Sequence, residues 1–214
     1  MGWQQDEIYT ELRNRIINLD YSPGQPLCER DLISEFGTSR TPVREALLKL
    51  EKDNLVQILP RVGTSVSQVD IRFVRHAYEV RKNLEGLAAE LASQRATSEQ
   101  IEQLLELAGA FSRLDHLRRY RECIENDRKF HHLTHIASGN PILIDTLNDL
   151  SLITVRFLRY IQYVETDYQW YKDSIIAIAE AVRERDAVRA RKEAEQHTAA
   201  FLTKLAKYFF GESK

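Results

Sequence analysis

The chain has 214 residues, of which 43% are hydrophobic and 29% charged, with a formal net charge of −2. That length buries a real core and suits one or two domains, and the near-neutral balance excludes a protein that grips nucleic acid by bulk positive charge. Cys28 and Cys123 lie far apart and in no CxxC pattern, which excludes a zinc-finger or disulfide frame. No apolar run approaches about twenty residues and the N-terminus has no signal-like hydrophobic stretch, so the expectation is a soluble, cytoplasmic protein.

In chain order, Ile8, Leu12, Ile16 and Leu19 recur at helical spacing and predict an amphipathic helix over about residues 5 to 19. Tyr21-Ser22-Pro23-Gly24 breaks the chain. A second short helix carries Leu32, Ile33 and Phe36 and stops at Gly37. A third runs from Ser39, a suitable N-cap, to about Asp53, with Val43, Ala46, Leu47 and Leu50 as its buried stripe. Pro42 sits in its first turn, where the missing N–H breaks no helical bond. Asn54 follows, a residue that tolerates left-handed geometry at a helix end. Val56-Gln57-Ile58 alternates as a strand, Pro60 to Gly63 turns, and Thr64-Ser65-Val66 returns. Three helices and a small hairpin make residues 1–68 a winged helix-turn-helix.

Arg40 and Arg44 lie four apart at the start of the third helix and share one face. Each can reach a phosphate or lie bidentate against a guanine edge, as a recognition helix entering the major groove requires. The alternative is an amphipathic surface helix with two solvated arginines. The first 68 residues carry a slight acidic excess, so DNA binding would rest on a local arginine patch acting in a dimer.

From residue 69 to 214 punctuation nearly vanishes, and Pro141 is the only proline after residue 60. Apolar residues recur with helical period over Phe73 to Leu91, Ile101 to Leu114, Tyr120 to Ile136, Ile142 to Val164, Tyr168 to Val182 and Ala187 to Phe210. The fold class is therefore mainly α, a winged helix-turn-helix followed by an all-α bundle. Thr97 reads as a helix cap, and Asn140-Pro141 as a helix start. Asp127 and His131 project from one helical face and can chelate a divalent metal, with His197 on the last helix completing three ligands. By spacing alone such a pair is more often an ordinary hydrogen-bonded or exposed contact. His135, one turn beyond His131, reads as polar packing. Arg81 and Glu85 are spaced for an ion pair. Tyr160, Tyr163, Tyr168, Trp170 and Tyr171 gather at one helix junction, either narrowing a pocket or packing helices together.

Two resemblances extend these readings. Residues 8 to 68 resemble the DNA-binding domain of the GntR family of bacterial regulators. The matching stretches are Pro23-Gly24 with Leu27 and Glu29, then Ser39 to Leu47, Leu50-Glu51, Leu55-Val56, Pro60-Arg61 and Gly63-Thr64. Ile33, Thr38 and Asn54 depart from the family's alanine, valine and glycine. The resemblance implies that Arg30 contacts backbone phosphate, and that Ser39 and Thr41 donate hydroxyls to phosphate. It implies that Arg40 and Arg44 read the major groove, and that Arg61 and Gly63 sit in a wing tip approaching the minor groove.

Residues of about 71 to 210 resemble the FCD ligand-binding domain of the FadR subfamily. That resemblance rests on Val80-Arg81 with Leu84-Glu85, Asp127 to His131, Ser138-Gly139-Asn140, and Ala177-Ile178 leading to Asp186 and His197. Many such domains hold a divalent metal (Zn, Mn or Ni) with one aspartate and three histidines. Asp127, His131 and His197 match three of them, and Ile175 stands where the fourth histidine is expected. Tyr171 or Asp173 is a substitute, or the site has lost its metal and binds an organic effector directly. Arg81 matches an arginine that faces a carboxylate effector, and Arg156 and Arg159 are further candidates to line the cavity.

The function implied is an effector-responsive DNA-binding transcription regulator, a repressor, not an enzyme. It would bind a palindromic operator as a homodimer and be released by a small metabolite, an organic acid. The alternative is a metal-dependent enzyme domain fused to a winged helix, although the bundle holds no HExxH, nucleophile elbow or phosphate-cradling loop. A third reading makes the bundle a ligand-free dimerisation platform.

Overall fold

The computed structural model describes residues 3–113, 119–162 and 168–210. Helix α1 (Gln5–Asn18) is followed by strand β1 (Pro26–Leu27), α2 (Glu29–Phe36), α3 (Arg40–Lys52), β2 (Val56–Leu59) and β3 (Gly63–Val66). Six α-helices follow among the described residues: α4 (Ile71–Arg95), α5 (Ser98–Ala110), α6 (Tyr120–Ala137), α7 (Pro141–Tyr160), α8 (Tyr168–Arg183) and α9 (Ala187–Phe210). Two units divide between Asp70 and Ile71. Among the described residues no helix is long and apolar enough to cross a membrane.

In the N-terminal unit, Ile8, Leu12 and Ile16 of α1 are fully buried, as are Val43, Ala46, Leu47 and Leu50 of α3, against which α1 packs. Leu19 departs from the expected stripe: it caps α1 in left-handed geometry (φ 66°), and Ile17 is buried instead. Gly37 ends α2 at φ 57°, donating its N–H to the Ile33 carbonyl. Asn54 (φ 58°) closes α3 with two reversed bonds, Leu55 N–H to Leu50 O at 2.9 Å and Asn54 N–H to Glu51 O at 3.0 Å. Leu50 and Leu55 are both buried there, the apolar pair that accompanies this kind of helix stop. Ser39 occupies the N-cap of α3, yet its side chain makes no capping bond. The wing is more than a hairpin. β3 pairs antiparallel with both β2 (Ile58 opposite Thr64) and β1 (Leu27 opposite Thr64), giving the order β1-β3-β2. Two residues cannot display a period-two alternation, so β1 leaves no trace in the sequence pattern.

The C-terminal unit is all helical, with α4 packed against α6, α7, α8 and α9. Ala88, Ala89 and Ala92 let neighbours approach α4 closely, and a Cβ on Gly86 would meet Glu195 Cγ of α9 at 2.5 Å. Phe111, Phe130, Ile175, Ile178, Val182 and Ala190 fill the core around Ala89 and Ala92, while Ala88 packs with Leu143 and Leu147 of α7. The ends are tied down. Thr97 and Gln100 form a reciprocal capping box on α5, and Asn140 accepts from Leu143 N–H with Pro141 next to it on α7. Arg185 donates to the Ser93 and Ala96 carbonyls at the end of α4 (3.1 and 2.8 Å). The helices expected to reach Leu114 and Val164 end at Ala110, continued by a 3-10 turn to Arg113, and at Tyr160. Leu114 and Val164 lie outside the described residues.

Candidate functional site

In the N-terminal unit all seven residues matched to DNA contacts are exposed: Arg30, Ser39, Arg40, Thr41, Arg44, Arg61 and Gly63. Arg40 and Arg44 stand one turn apart at the N-terminal end of α3, where the helix's unpaired N–H groups also favour phosphate. The neighbours of these arginines hold them weakly. Arg40 Nε is 3.7 Å from Glu29 Oε2, and Arg30 Nε is 3.8 Å from Asp31 Oδ1, both solvent-exposed pairs of small worth. With no capping bond, the Ser39 hydroxyl remains a donor for another partner. At the wing turn Arg61 takes φ 64° and Gly63 φ 127°, a conformation that side-chain-bearing residues rarely adopt.

Within the C-terminal unit, five helices bring a row of charged and polar groups into a buried centre. Arg81 on α4 donates through Nε (3.1 Å) and Nη2 (2.5 Å) to Glu85 Oε1, and through Nη1 to Thr154 Oγ1 of α7 (2.7 Å). Glu85 Oε2 accepts from His131 Nδ1 (3.1 Å) and His135 Nε2 (2.9 Å), both on α6. The other nitrogen of His131 lies 3.3 Å from Asp127 Oδ1. Tyr171 of α8 donates its hydroxyl to that same Asp127 oxygen. His197 of α9 lies beside them, its ring 5.5 Å from that of His131 and stacked on Trp170 at 5.8 Å and 8°.

Burial and charge set the protonation of each group. Burial alone would lower the His131 pKa, but Glu85 and Asp127 outweigh it and raise it to about 10, so His131 is an imidazolium held between two carboxylates. Burial would raise both carboxyls; the histidines, with Arg81 acting on Glu85, instead hold Glu85 well below and Asp127 below the ordinary range. Burial, followed by the neighbouring His131 charge, lowers His197 to about 4 and keeps it neutral. Its tautomer follows from Ser174. That hydroxyl donates its one proton to the Tyr171 carbonyl (2.7 Å), so it accepts from His197 Nδ1–H (2.7 Å) and leaves the lone pair on Nε2. His135 is lowered by burial, and its Nε2–H is the donor to Glu85. Among the described residues its buried Nδ1 has no hydrogen-bond partner.

Ligand atoms of Asp127, His131 and His197 lie within 4.8 Å of one another, and so do those of Glu85, His131 and His135. Either group could hold a metal. The first fits better, because it has a neutral imidazole with its lone pair on Nε2 and a carboxylate whose oxygen already gathers two protons. There Glu85 accepts from the outer nitrogen of His131, as the partner of a metal-bound histidine does. The adjoining cavity, lined by Tyr78, Arg81, Asp127, His131, Tyr171 and His197 among others, measures about 30 Å³. It has room for an ion or a water, and an organic acid would have to displace side chains to enter.

Ile175 is fully buried in the apolar core and cannot ligate. Of its two proposed substitutes, Asp173 is exposed and accepts from Gln169 (2.8 Å), whereas Tyr171 reaches the centre. Arg81 both pairs with Glu85 and lines the cavity, but three of its N–H groups are already engaged. Arg156 and Arg159 are not among the residues lining the cavity, and Arg159 lies 3.7 Å from Glu125. The expected aromatic junction divides: Trp170 and Tyr171 pack at the centre, while Tyr160 is exposed. Tyr163 and the Tyr168 side chain lie outside the described residues. Sequence reasoning took Glu85 only as a partner of Arg81 and passed over Ser174. For Glu85 the signals were its i,i+4 spacing from Arg81 and its place in the Leu84-Glu85 stretch of the FCD resemblance; for Ser174 there was none.

Residues 4–66 match the family described as "Bacterial regulatory proteins, gntR family", and residues 76–200 match the FCD domain, more than half of the chain. The chain belongs to the GntR family and carries an FCD domain. This GntR–FCD protein is 30% identical over 198 residues to a Bacillus subtilis (strain 168) relative described as an uncharacterized HTH-type transcriptional regulator, YdhC, covering 91% of this chain and 85% of that one. It is 31% identical over 157 residues to the HTH-type transcriptional repressor RspR of Escherichia coli (strain K12), covering 73% and 68%. Among solved structures, E. coli McbR/YncC shares the fold with a TM-score of 0.75 at 23% identity, over 96% of this chain and 99% of that one. The GntR–FCD protein is thus a DNA-binding transcription regulator with an effector-binding domain. Its relatives are regulators, not enzymes, which sets aside the reading of a fused metal-dependent enzyme.

Proposed function

We propose that this GntR–FCD regulator is a repressor that binds a palindromic operator as a homodimer and is released when a small organic acid reaches the bundle centre. The observation that carries the reading is the pair Arg40 and Arg44, exposed one turn apart at the N-terminus of α3 above a fully buried stripe. A surface helix needs no such pair at its N-terminus, where positive charge opposes the helix dipole. DNA compensates for it. Arg30, Ser39 and Thr41 would fix the helix on phosphates, and Arg61 and Gly63 would bring the wing to the minor groove. Two-fold symmetry of the homodimer then requires half-sites in inverted repeat.

The effector side rests on Asp127, His131 and His197, with Arg81 beside them. A divalent metal (Zn, Mn or Ni) bound there supplies a Lewis-acid position that a carboxylate can occupy. The residues do the rest: Glu85 orients His131, Ser174 orients His197, and the remaining N–H groups of Arg81 receive the carboxylate's second oxygen. Selection of bound sequences from random duplex DNA by the full chain tests the DNA reading. An enriched inverted repeat, released by a carboxylate metabolite only when metal is present, is the expected result. Enrichment of nothing, or of an asymmetric single site bound by monomer, would sink it.

A further inference from the structure

The fourth-ligand position is vacated by Ile175, and α8 offers a replacement one turn earlier. Tyr171 and Ile175 are four apart and share a helical face, but Ile175 turns into the apolar core while Tyr171 carries its hydroxyl to Asp127 Oδ1. We propose that Tyr171 is the fourth ligand of the metal centre, making it a buried Asp–His–His–Tyr site whose phenolate lets it take ferric iron as well as a divalent ion. The proposal rests on reading Asp127, His131 and His197 as ligands.

Three arrangements carry it. Tyr171 Oη and His131 Nε2 converge on one oxygen, Asp127 Oδ1, each placed to donate a proton to it. A cation that displaces both protons meets phenolate oxygen, carboxylate oxygen and imidazole nitrogen around a single point. Next, the Tyr171 carbonyl takes the Ser174 proton, and this makes Ser174 the acceptor that leaves His197 Nε2 with its lone pair. One residue therefore both ligates and, through its backbone, sets the tautomer of another ligand. Finally, the phenol is already in place: its ring lies edge-on to Phe111 at 5.4 Å and tilted against His197 at 5.3 Å.

Two imidazoles and one carboxylate serve ferrous non-haem iron and catalytic zinc alike, so the fourth ligand decides what else the site accepts. A phenolate adds a hard, anionic oxygen, which favours the smaller and more highly charged ferric ion. Loading forms the Fe–O bond to Tyr171 and releases the Tyr171 and His131 Nε2 protons to solvent; no electron moves. In a transcription regulator, such a centre would make the effector domain responsive to iron.

The test uses the metal-free full chain, titrated with ferric nitrilotriacetate and separately with Zn²⁺. The wild type is expected to bind one ferric ion per chain and to develop the visible charge-transfer band of an iron phenolate. Tyr171→Phe should lose the band and bind ferric ion more weakly by about tenfold or more, with zinc affinity little changed. Tyr171→His, which restores an imidazole, should show no band and prefer zinc, so the proposal stays open to refutation if the phenylalanine variant does not fold. Ferric binding by wild type without the band, or a Tyr171→Phe titration identical to wild type, overturns Tyr171 as a ligand and leaves the three-residue site standing. Absence of both ions from wild type, or zinc binding unchanged in Asp127→Ala, removes the metal site itself and this proposal with it.

Discussion

At the scale of single residues, the sharpest expectation concerns Arg44. Its exposed position on α3 gives it no role in the packing of the unit, so truncation isolates DNA contact. Arg44→Ala is expected to weaken operator binding by about 1–3 kcal/mol and to relax preference at one base position, as measured by competition among operator variants. Uniform weakening across all sequences would make it a phosphate contact. The histidines make a second expectation, for the metal-free chain. His131, raised to about 10, stabilises fully below the ordinary histidine value, and that contribution is lost as pH rises from about 6.5 through 10. His197, lowered to about 4, acts oppositely: its contribution is present above about 6.5 and is lost as pH falls toward 4. Melting temperature should therefore fall on both sides of a maximum near pH 6.5. His197→Gln should make the limb between pH 6.5 and 4 shallower, the remainder being carried by His135, which burial also lowers; an unchanged acid limb would mean that His197 is not held neutral.

At the scale of elements, local sequence carried most of what mattered, and packing between helices carried the remainder. Asp127 and His131 could be paired from spacing because one α-helical turn places them on one face, and the C-terminal end of α3 was bounded by Asn54 through backbone chemistry alone. Glu85, Tyr171 and Ser174 enter the centre from α4 and α8. Their meeting with α6 and α9 depends on rotation and axial offset between helices, which no periodicity within one helix encodes. β1 escaped because two residues show no alternation, and Leu19 because a capping residue can satisfy a helical stripe without being helical. The stop after α3 gives a clean test of the backbone argument. Asn54 holds φ 58° and its N–H and that of Leu55 close the helix end. Asn54→Ala should destabilise the N-terminal unit by about 1 kcal/mol, while Asn54→Gly should be neutral or mildly stabilising. Equal melting of both variants would mean that this turn is not strained.

At the scale of the whole molecule, the question is how a ligand in one unit alters binding by the other. Coupling between the units is a free energy, and it acts equally in both directions. If an effector lowers operator affinity by some factor, operator DNA must lower effector affinity by the same factor, whatever path joins the units. Typical coupling of about 1–3 kcal/mol corresponds to roughly 5–150-fold. Small size of the bundle cavity, about 30 Å³, gives this a structural consequence. An organic acid could enter only by displacing side chains at the centre, so a state that bound it would differ from this closed one, and the ligand would shift the equilibrium only by favouring that state. The expectation is measurable with two titrations on the metal-loaded protein: effector into protein with and without saturating operator, and operator into protein with and without saturating effector. The two affinity ratios must agree. A ratio of one in both would show that the ligand binds the closed and open states equally and is no effector. It would favour the bundle as a platform for dimerisation alone.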